Sequence, residues 1–452
     1  MIYAKRALLD KGWSSDVRLE VVGGCLTEIT PDTQPMPGDT SVDTLLPALG
    51  NLHSHSFQRA MAGMTEVRAK GRDSFWTWRD LMYRFTARLS PEQIEAIAAL
   101  VFMEMSEAGY AAVGEFHYLH HQPDGTPYAD LGELSGRIMA AANAAGIGLT
   151  HLPVLYTYGG AGKVPLAPGQ ARFGNDVGRF ADLVAKARTY LADMPHDARV
   201  GIAPHSLRAT SPGDLAQALA MHQGGPIHIH IAEQPKEVAD IQAWLAARPV
   251  EWLLANAPVD RNWCLIHATH MTEDETRQMA ASGAVAGLCP VTEANLGDGP
   301  FNGPGYLNAG GAFGVGSDSN VLISLTEELR LLEYSQRLRD MARNVMVAGE
   351  GSVGQTLYLG AAKGGAQALG RDAGAIRLGA LADLVAIDST APSLCALGRD
   401  QLLDGLAFAS KDDVVTDVWA AGRHNVREGR HVGRDAIIAN YRKAVAALLA
   451  DA

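Results

Sequence analysis

Two histidines, His53 and His55, stand two residues apart where an apolar run through Leu45, Leu46, Leu49 and Leu52 gives way to polar residues. Side chains of a β-strand repeat every two residues, so both imidazoles point to the same side. Neutral imidazoles converging at a strand tip make half of a zinc site and leave room for a water or a substrate. The plainer reading is that one ring caps the strand and the other is solvated, and His-x-His alone does not decide between them. Further polar and titratable residues recur along the chain: His117 with Tyr118, His205 with Arg208, His230 with Glu233, His267 with His270, and Asp318. Taken singly, each is an ordinary polar residue at the end of a strand. Gathered on one rim, they could hold a metal ion and move protons.

The gathering depends on the elements that carry them. Ser90-Pro91-Glu92-Gln93 is a capping box with proline at the first helical position, and it opens a helix to about residue 109. Strands are expected at 111–118, 147–156, 200–206, 226–232, 263–268, 284–289 and 312–317. Helices are expected at 131–146, 176–194, 212–222 and 236–255, and after a second capping box at Thr272-Glu273-Asp274-Glu275. With the strand that carries His53 and His55, this is an α/β chain of eight apolar strands in βα rhythm, which implies a (β/α)8 TIM-type barrel. Such a barrel keeps its active site at the C-terminal ends of the strands, where the residues named above fall.

Helices at 325–344 and 355–370 seal the barrel, which is assigned to residues 49–375. Residues 1–48, with a hairpin signal at Gly23-Gly24, and the tail 376–452, with strand-like runs at 382–388 and 415–419, are assigned to one small discontinuous β-sandwich domain. The stretch 59–89 reads as neither a tight turn nor a simple helix. It carries Arg59, Arg68, Arg72, Arg79 and Arg84 with Phe75, Trp76 and Trp78. A binding loop or lid and a surface excursion with its own aromatic core are equally open.

Composition narrows the function classes. The chain has 452 residues, 47% apolar and 19% charged, an ordinary globular balance with no sign of disorder. Lys plus Arg is 38 against 50 for Asp plus Glu, a net charge of -12, so a nucleic-acid partner is not expected. Cys25, Cys264, Cys289 and Cys395 are scattered, which fits a reducing compartment and argues against a thiolate zinc site. Neither a signal-peptide core nor an apolar run of the ~18 residues needed for a membrane span is found. A cytoplasmic enzyme without a membrane partner is expected.

At this point the sequence resembles the amidohydrolase superfamily. His53-Ser54-His55 matches its first-strand His-x-His, His230 the fifth-strand histidine, His267 the sixth-strand histidine and Gly316-Ser317-Asp318 the eighth-strand aspartate. The resemblance covers essentially the whole chain. Its binuclear members carry a modified lysine at the end of the third or fourth strand, where this chain has Leu155-Tyr156-Thr157 and His205-Ser206. His230-Ile231-Ala232-Glu233 matches the His-x-x-Glu of the mononuclear deaminases. The resemblance therefore implies His53, His55, His230 and Asp318 as ligands of one divalent metal per chain, with zinc expected. It implies Glu233 and His267 as acid–base groups, with Asp318 sharing in the proton chemistry.

Within that superfamily, four stretches look most like the formimidoylglutamate deiminases: 51–61, 204–208, 229–234 and 289–299. The implied reaction is hydrolysis of the formimino group of N-formimino-L-glutamate to N-formyl-L-glutamate and ammonia, in histidine degradation. The implied substrate is a small dianion, which suits arginine forks. Arg208 and Arg79 are the candidate forks, with Gln58, Tyr118 and His205 as further substrate-binding residues. At -12 overall the protein repels a dianion at long range, so local arginines must supply the affinity. Stacking aromatics look scarce at the strand ends, which disfavours a nucleobase. The alternatives left open are another mononuclear-zinc aminohydrolase acting on guanine, adenosine or a triazine, and a non-catalytic barrel. A homodimer is expected.

Overall fold

The computed structural model describes residues 1–66 and 75–450, and Arg68 and Arg72 of the first long loop lie outside them. Among the described residues, eight parallel strands follow one another: Leu49–Ser54, Tyr110–His117, Gly148–Leu155, a fourth split into Arg199–Val200 and Ala203–Pro204, Ile227–Ile231, Trp263–His267, Val285–Leu288 and Ala312–Val315. Their residues are buried almost throughout, as expected of a parallel sheet covered on both faces. Bridges Ile202–Ile227 and Ser206–His230 join the fourth strand to the fifth, and Ser54–Asp318 joins the first to the eighth. The barrel is closed.

Closure brings two chain segments unusually near. Asp318 N–H donates to the His53 carbonyl and His55 N–H to the Asp318 carbonyl, each at 2.9 Å. A Cβ on Gly316 would lie 2.7 Å from the His53 nitrogen, so glycine is required where the eighth strand passes the first. The same pair of bonds sets the relative position of His53, His55 and Asp318. Below them Leu52, Ala112, Cys264, Ile266 and Val285 fill the barrel.

The helices begin where the caps foretell. Ser90 and Gln93 complete the capping box of Pro91–Glu107, and Thr272 and Glu275 that of Glu273–Ser282. Two stretches differ from expectation. Within 59–89 a helix forms at Phe75–Thr86. Phe75, Trp78, Met82 and Phe85 recur at helical spacing and give an apolar stripe, and its packing offsets the middling helix propensity of the aromatic residues. The tail, expected as β, adds helices Arg399–Ala409 and Arg434–Ala450 to its strands. The second packs against Pro91–Glu107, where Gln93 Nε2 donates to the Ala444 carbonyl at 3.4 Å.

Strands from both ends of the chain make one eight-stranded sheet, with Thr40–Pro47 pairing antiparallel to Leu384–Ile387 at the junction. Its hairpin turns at Gly23 and Gly24, both at positive φ (57° and 82°), as a two-residue primed turn requires. Ile2, Leu19, Leu26, Leu384 and Trp419 form its apolar core.

A buried ion cluster fastens this sheet to the barrel. Arg371 forks onto Asp383 with two bonds of 2.9 Å and lies 3.0 Å from Asp197, which Arg423 also holds at 2.7 Å. Removing one partner of such a cluster strands the others' charge without water. Arg371→Met should therefore lower the unfolding free energy by about 3–5 kcal/mol in denaturant titration. A loss below about 1 kcal/mol, the range of exposed ion pairs, would show that the cluster does not fasten the two parts.

Candidate active site

The donors of the histidine cluster are set by their second nitrogens. His55, just past the first strand, gives its Nδ1–H to the Phe116 carbonyl at 2.9 Å. His230 gives its Nδ1–H to the His205 carbonyl at 3.1 Å. Each neutral ring then turns a bare Nε2 inward. His53 Nε2 lies 3.1 Å from His230 Nε2, and Asp318 Oδ1 lies 3.5 Å from His53 Nε2 and 3.3 Å from His55 Nε2. Burial pushes His53 down to about 3 and His55 and His230 below their ordinary range, so the rings are neutral. Burial opposes the charge of Asp318, but its contact with His53 and the nearby His55 and His267 rings hold it below the usual carboxylate range.

Three lone pairs and a carboxylate aimed at one buried point repel each other unless a cation stands between them. The set of three nitrogens and one oxygen suits a divalent ion such as zinc with a position left open. These residues fit the metal that the resemblance implies. A second group, His267, Cys289 and Asp318, also brings ligand atoms within 4.8 Å of one another. Burial pushes the Cys289 thiol well up, and a protonated thiol is a poor ligand.

Beside the cluster lies an acid–base group. His267 Nε2 is 3.9 Å from Glu233 Oε1 and 3.8 Å from Asp318 Oδ2. His267 and Asp318 both adopt left-handed backbone (φ 67° and 46°), a conformation uncommon outside glycine and often found at functional sites. Burial raises the Glu233 carboxyl to about 7, against the pull of His267 and Arg208. Burial opposes the charge of His267, yet Glu233, the Glu293 hydrogen bond and Asp318 together lift it to about 10. So much negative charge around one imidazole is a further sign that the site is built to face a cation.

The five residues expected to hold the substrate, Gln58, Arg79, Tyr118, His205 and Arg208, line one narrow cavity of about 50 Å³ with His55, His230, Glu233, His267 and Asp318. His53 lies buried beneath it. Gln58 Nε2 donates to the Tyr118 hydroxyl at 2.8 Å, and its buried Oε1 has no partner. Arg208 Nη2 stands 3.6 Å from Glu233 Oε2. Arg79 reaches the cavity from helix Phe75–Thr86, so the first long stretch is part of the site. The expected shortage of aromatics does not hold. Phe75, Trp78 and Tyr83 from the helix, Phe173 from a turn at Pro168–Phe173 and Tyr156 from the end of the third strand line the cavity, and all but Tyr156 lie away from the strand ends.

Glu293 escaped the sequence reading. It lies in the first turn of a short helix, Pro290–Leu296, and its Oε1 accepts His267 Nδ1–H at 3.2 Å and Cys289 N–H at 2.9 Å. A carboxylate just after the seventh strand was the available signal. Glu293 sets which nitrogen of His267 faces the cavity. Glu293→Ala should lower kcat by about 10–100-fold without loss of metal, while Glu293→Gln, which keeps an acceptor oxygen, recovers much of it. Parent-like kcat in the alanine variant would contradict this role.

The model for "Amidohydrolase family" matches residues 44–424, and that for "Formimidoylglutamate deiminase HutF, N-terminal domain" matches residues 1–42. The chain belongs to the amidohydrolase family. As an amidohydrolase it is 52% identical to formimidoylglutamate deiminase of Pseudomonas aeruginosa over 437 residues, 96% of each chain. It is 27% identical to 5-methylthioadenosine/S-adenosylhomocysteine deaminase of Natronomonas pharaonis, covering 88% of this chain and 84% of that one. Among solved structures, an amidohydrolase from Brucella melitensis superposes with a TM-score of 0.95 at 49% identity, covering 99% of both chains. An adenosine deaminase from Xanthomonas campestris with bound zinc shares the fold at TM-score 0.81 and 22% identity, covering 99% of this amidohydrolase and 98% of that chain. No helix among the described residues is long and apolar enough to cross a membrane.

Proposed function

We infer that the chain hydrolyses the formimino group of N-formimino-L-glutamate, giving N-formyl-L-glutamate and ammonia, a step of histidine degradation. The observation that carries the reading is one cavity lined at once by His55, His230 and Asp318 of the metal-type donor cluster, by the acid–base groups Glu233 and His267, and by two guanidiniums, Arg79 and Arg208. The 52% identity to a formimidoylglutamate deiminase supports the same substrate. The aromatic lining removes one argument against a nucleobase, but the pair of guanidiniums remains matched to a dicarboxylate rather than to a neutral ring.

We read His53, His55, His230 and Asp318 as the ligands of one divalent ion, with zinc first among candidates. Such an ion supplies Lewis acidity and makes hydroxide available near neutral pH. Arg208 and Arg79 receive the two carboxylates, and Gln58, Tyr118 and His205 fix the chain between them. Asp318 Oδ2 and His267 Nε2 orient the attacking water; a cation in the site would offset the carboxylates that lift His267, freeing its Nε2 to accept the water's proton. The C–O bond forms at the formimino carbon. Glu233, with its carboxyl raised to about 7, carries a proton near neutral pH and delivers it to the departing nitrogen. The C–N bond then breaks and ammonia leaves. The division into a barrel over 49–375 and a small domain from 1–48 and 376–452 is read the same way, as is assembly into a homodimer.

Ammonia release measured with N-formimino-L-glutamate, guanine, adenosine and a triazine tests the substrate. Turnover of the first should exceed the others by orders of magnitude, and an enzyme that deaminates guanine but not N-formimino-L-glutamate would overturn the assignment. Elemental analysis of the purified protein should find about one ion per chain, and a content near two would contradict the single-ion ligand set.

A further inference from the structure

Behind the two guanidiniums lies a second, larger cavity of about 510 Å³, with Trp76, Arg79, Arg208, Lys236 and Asp240 in its walls. It shares Arg79 and Arg208 with the narrow cavity that holds the reacting groups. The Trp76 indole gathers the cations of this wall. The Arg79 guanidinium carbon lies 4.6 Å from its ring centre, that of Arg208 5.6 Å and Lys236 Nζ 5.7 Å. Three like charges around one ring repel one another, and the ring's negative face offsets part of that repulsion. Buried Nε atoms of both Arg79 and Arg208 have no hydrogen-bond partner. Carboxylates stand beside Lys236 and Arg208: Asp240 holds Lys236 at 2.6 Å on the exposed side, and Arg208 lies 3.6 Å from Glu233 by Nη2 and 3.9 Å from the buried Glu237 by Nε.

We propose that this outer cavity is a carboxylate-binding vestibule, in which Lys236 and the outer sides of Arg79 and Arg208 hold a dicarboxylate before it passes to the inner cavity. Only the identity of the dicarboxylate rests on the substrate reading above. The chain carries a net charge of -12, so an incoming dianion meets repulsion except where positive charge is locally concentrated. The inner cavity is too narrow to serve as its own antechamber, whereas the outer one has room and three cations in its walls. Transfer inward exchanges one side of the same two guanidiniums for the other, so the anion is never without a counter-charge. Asp240 competes for Lys236, and its removal should favour capture. The exposed pair costs little to break.

The test compares Lys236→Glu and Asp240→Asn with the parent as metal-loaded enzymes. Position 236 lies in the first turn of helix Pro235–Leu245, where glutamate favours the helix, so folding is not at risk. At low ionic strength Lys236→Glu should lower kcat/KM for N-formimino-L-glutamate at least ~5-fold, with kcat within about twofold, and the deficit should shrink in ~0.5 M salt. Asp240→Asn should raise kcat/KM about twofold or more, a gain that a structural role would not produce. A Lys236→Glu enzyme with parent kcat/KM, or with the same loss at low and high salt, overturns the vestibule. Calorimetric titration with glutarate, a plain dicarboxylate, needs no turnover. Its binding should weaken in Lys236→Glu and tighten in Asp240→Asn, and unchanged affinity in both overturns the proposal. Failure of the parent to turn over N-formimino-L-glutamate would instead strike the substrate reading, and the glutarate titration would still decide the vestibule.

Discussion

Glu233→Gln and His267→Asn should each lower kcat by at least ~100-fold while the metal content stays that of the parent. Both residues face the cavity, neither belongs to the three-imidazole cluster, and they stand 3.9 Å apart. Glutamine at 233 keeps the shape and a hydrogen-bond acceptor but has no proton to give to the leaving nitrogen. Asparagine at 267 can still accept or donate a hydrogen bond but cannot take a proton from water. The measurements are kcat for ammonia release and elemental analysis of the same preparations. If His267→Asn strips the metal, His267 is a ligand and the assignment of a single ion to His53, His55, His230 and Asp318 is wrong. If Glu233→Gln retains more than about a tenth of kcat, another group supplies the proton, because general acid catalysis of this kind is worth 10²–10⁴-fold.

Arg208→Met should cost at least ~2 kcal/mol in kcat/KM, about 30-fold, by leaving a substrate carboxylate unpaired in a closed cavity. Arg208 is buried, and the Trp76 and Phe75 rings lie 5.6 and 5.8 Å from its guanidinium carbon, so methionine can replace the stem without opening a large void. The loss has a second route. Arg208 helps to hold the Glu233 carboxyl down, so its removal moves that group further from its usual range and disturbs kcat as well as KM. Arg208→Lys, which keeps the charge but not the fork, should recover only part of the loss. N-formimino-L-aspartate, shorter by one CH₂, should be a weaker substrate of the parent, because one carboxylate no longer reaches its arginine. Unchanged kinetics in Arg208→Met would leave the reaction standing and remove this account of its specificity.

Non-catalytic relatives of this architecture would be expected to lose the inward lone pairs first. Here the three imidazoles stand together with Asp318, His267 and Glu233 beside them, and the second nitrogens of His55 and His230 are tied so that the inner ones stay bare. That arrangement favours a working enzyme.

The local signals in the sequence determined the eight strands, the two capping boxes, the Gly23-Gly24 hairpin and the rim of histidines, because each depends on neighbours a few residues away. Period-two alternation at His53 and His55, and the strand-end position of His230 and Asp318, suffice to bring those residues to one end of a closed barrel. Tertiary structure alone decided three things. Helix Phe75–Thr86 has an apolar stripe at helical spacing, but what that stripe packs against is set by distant parts of the chain, and that packing carries Arg79 into the cavity. Glu293 became a partner of His267 only because the seventh strand sets Pro290–Leu296 beside the sixth, a separation of 26 residues that no local period reports. The gathering of Arg79, Arg208 and Lys236 around Trp76 joins three separate parts of the chain, and its geometry comes from long-range packing rather than from the spacing of charges in sequence.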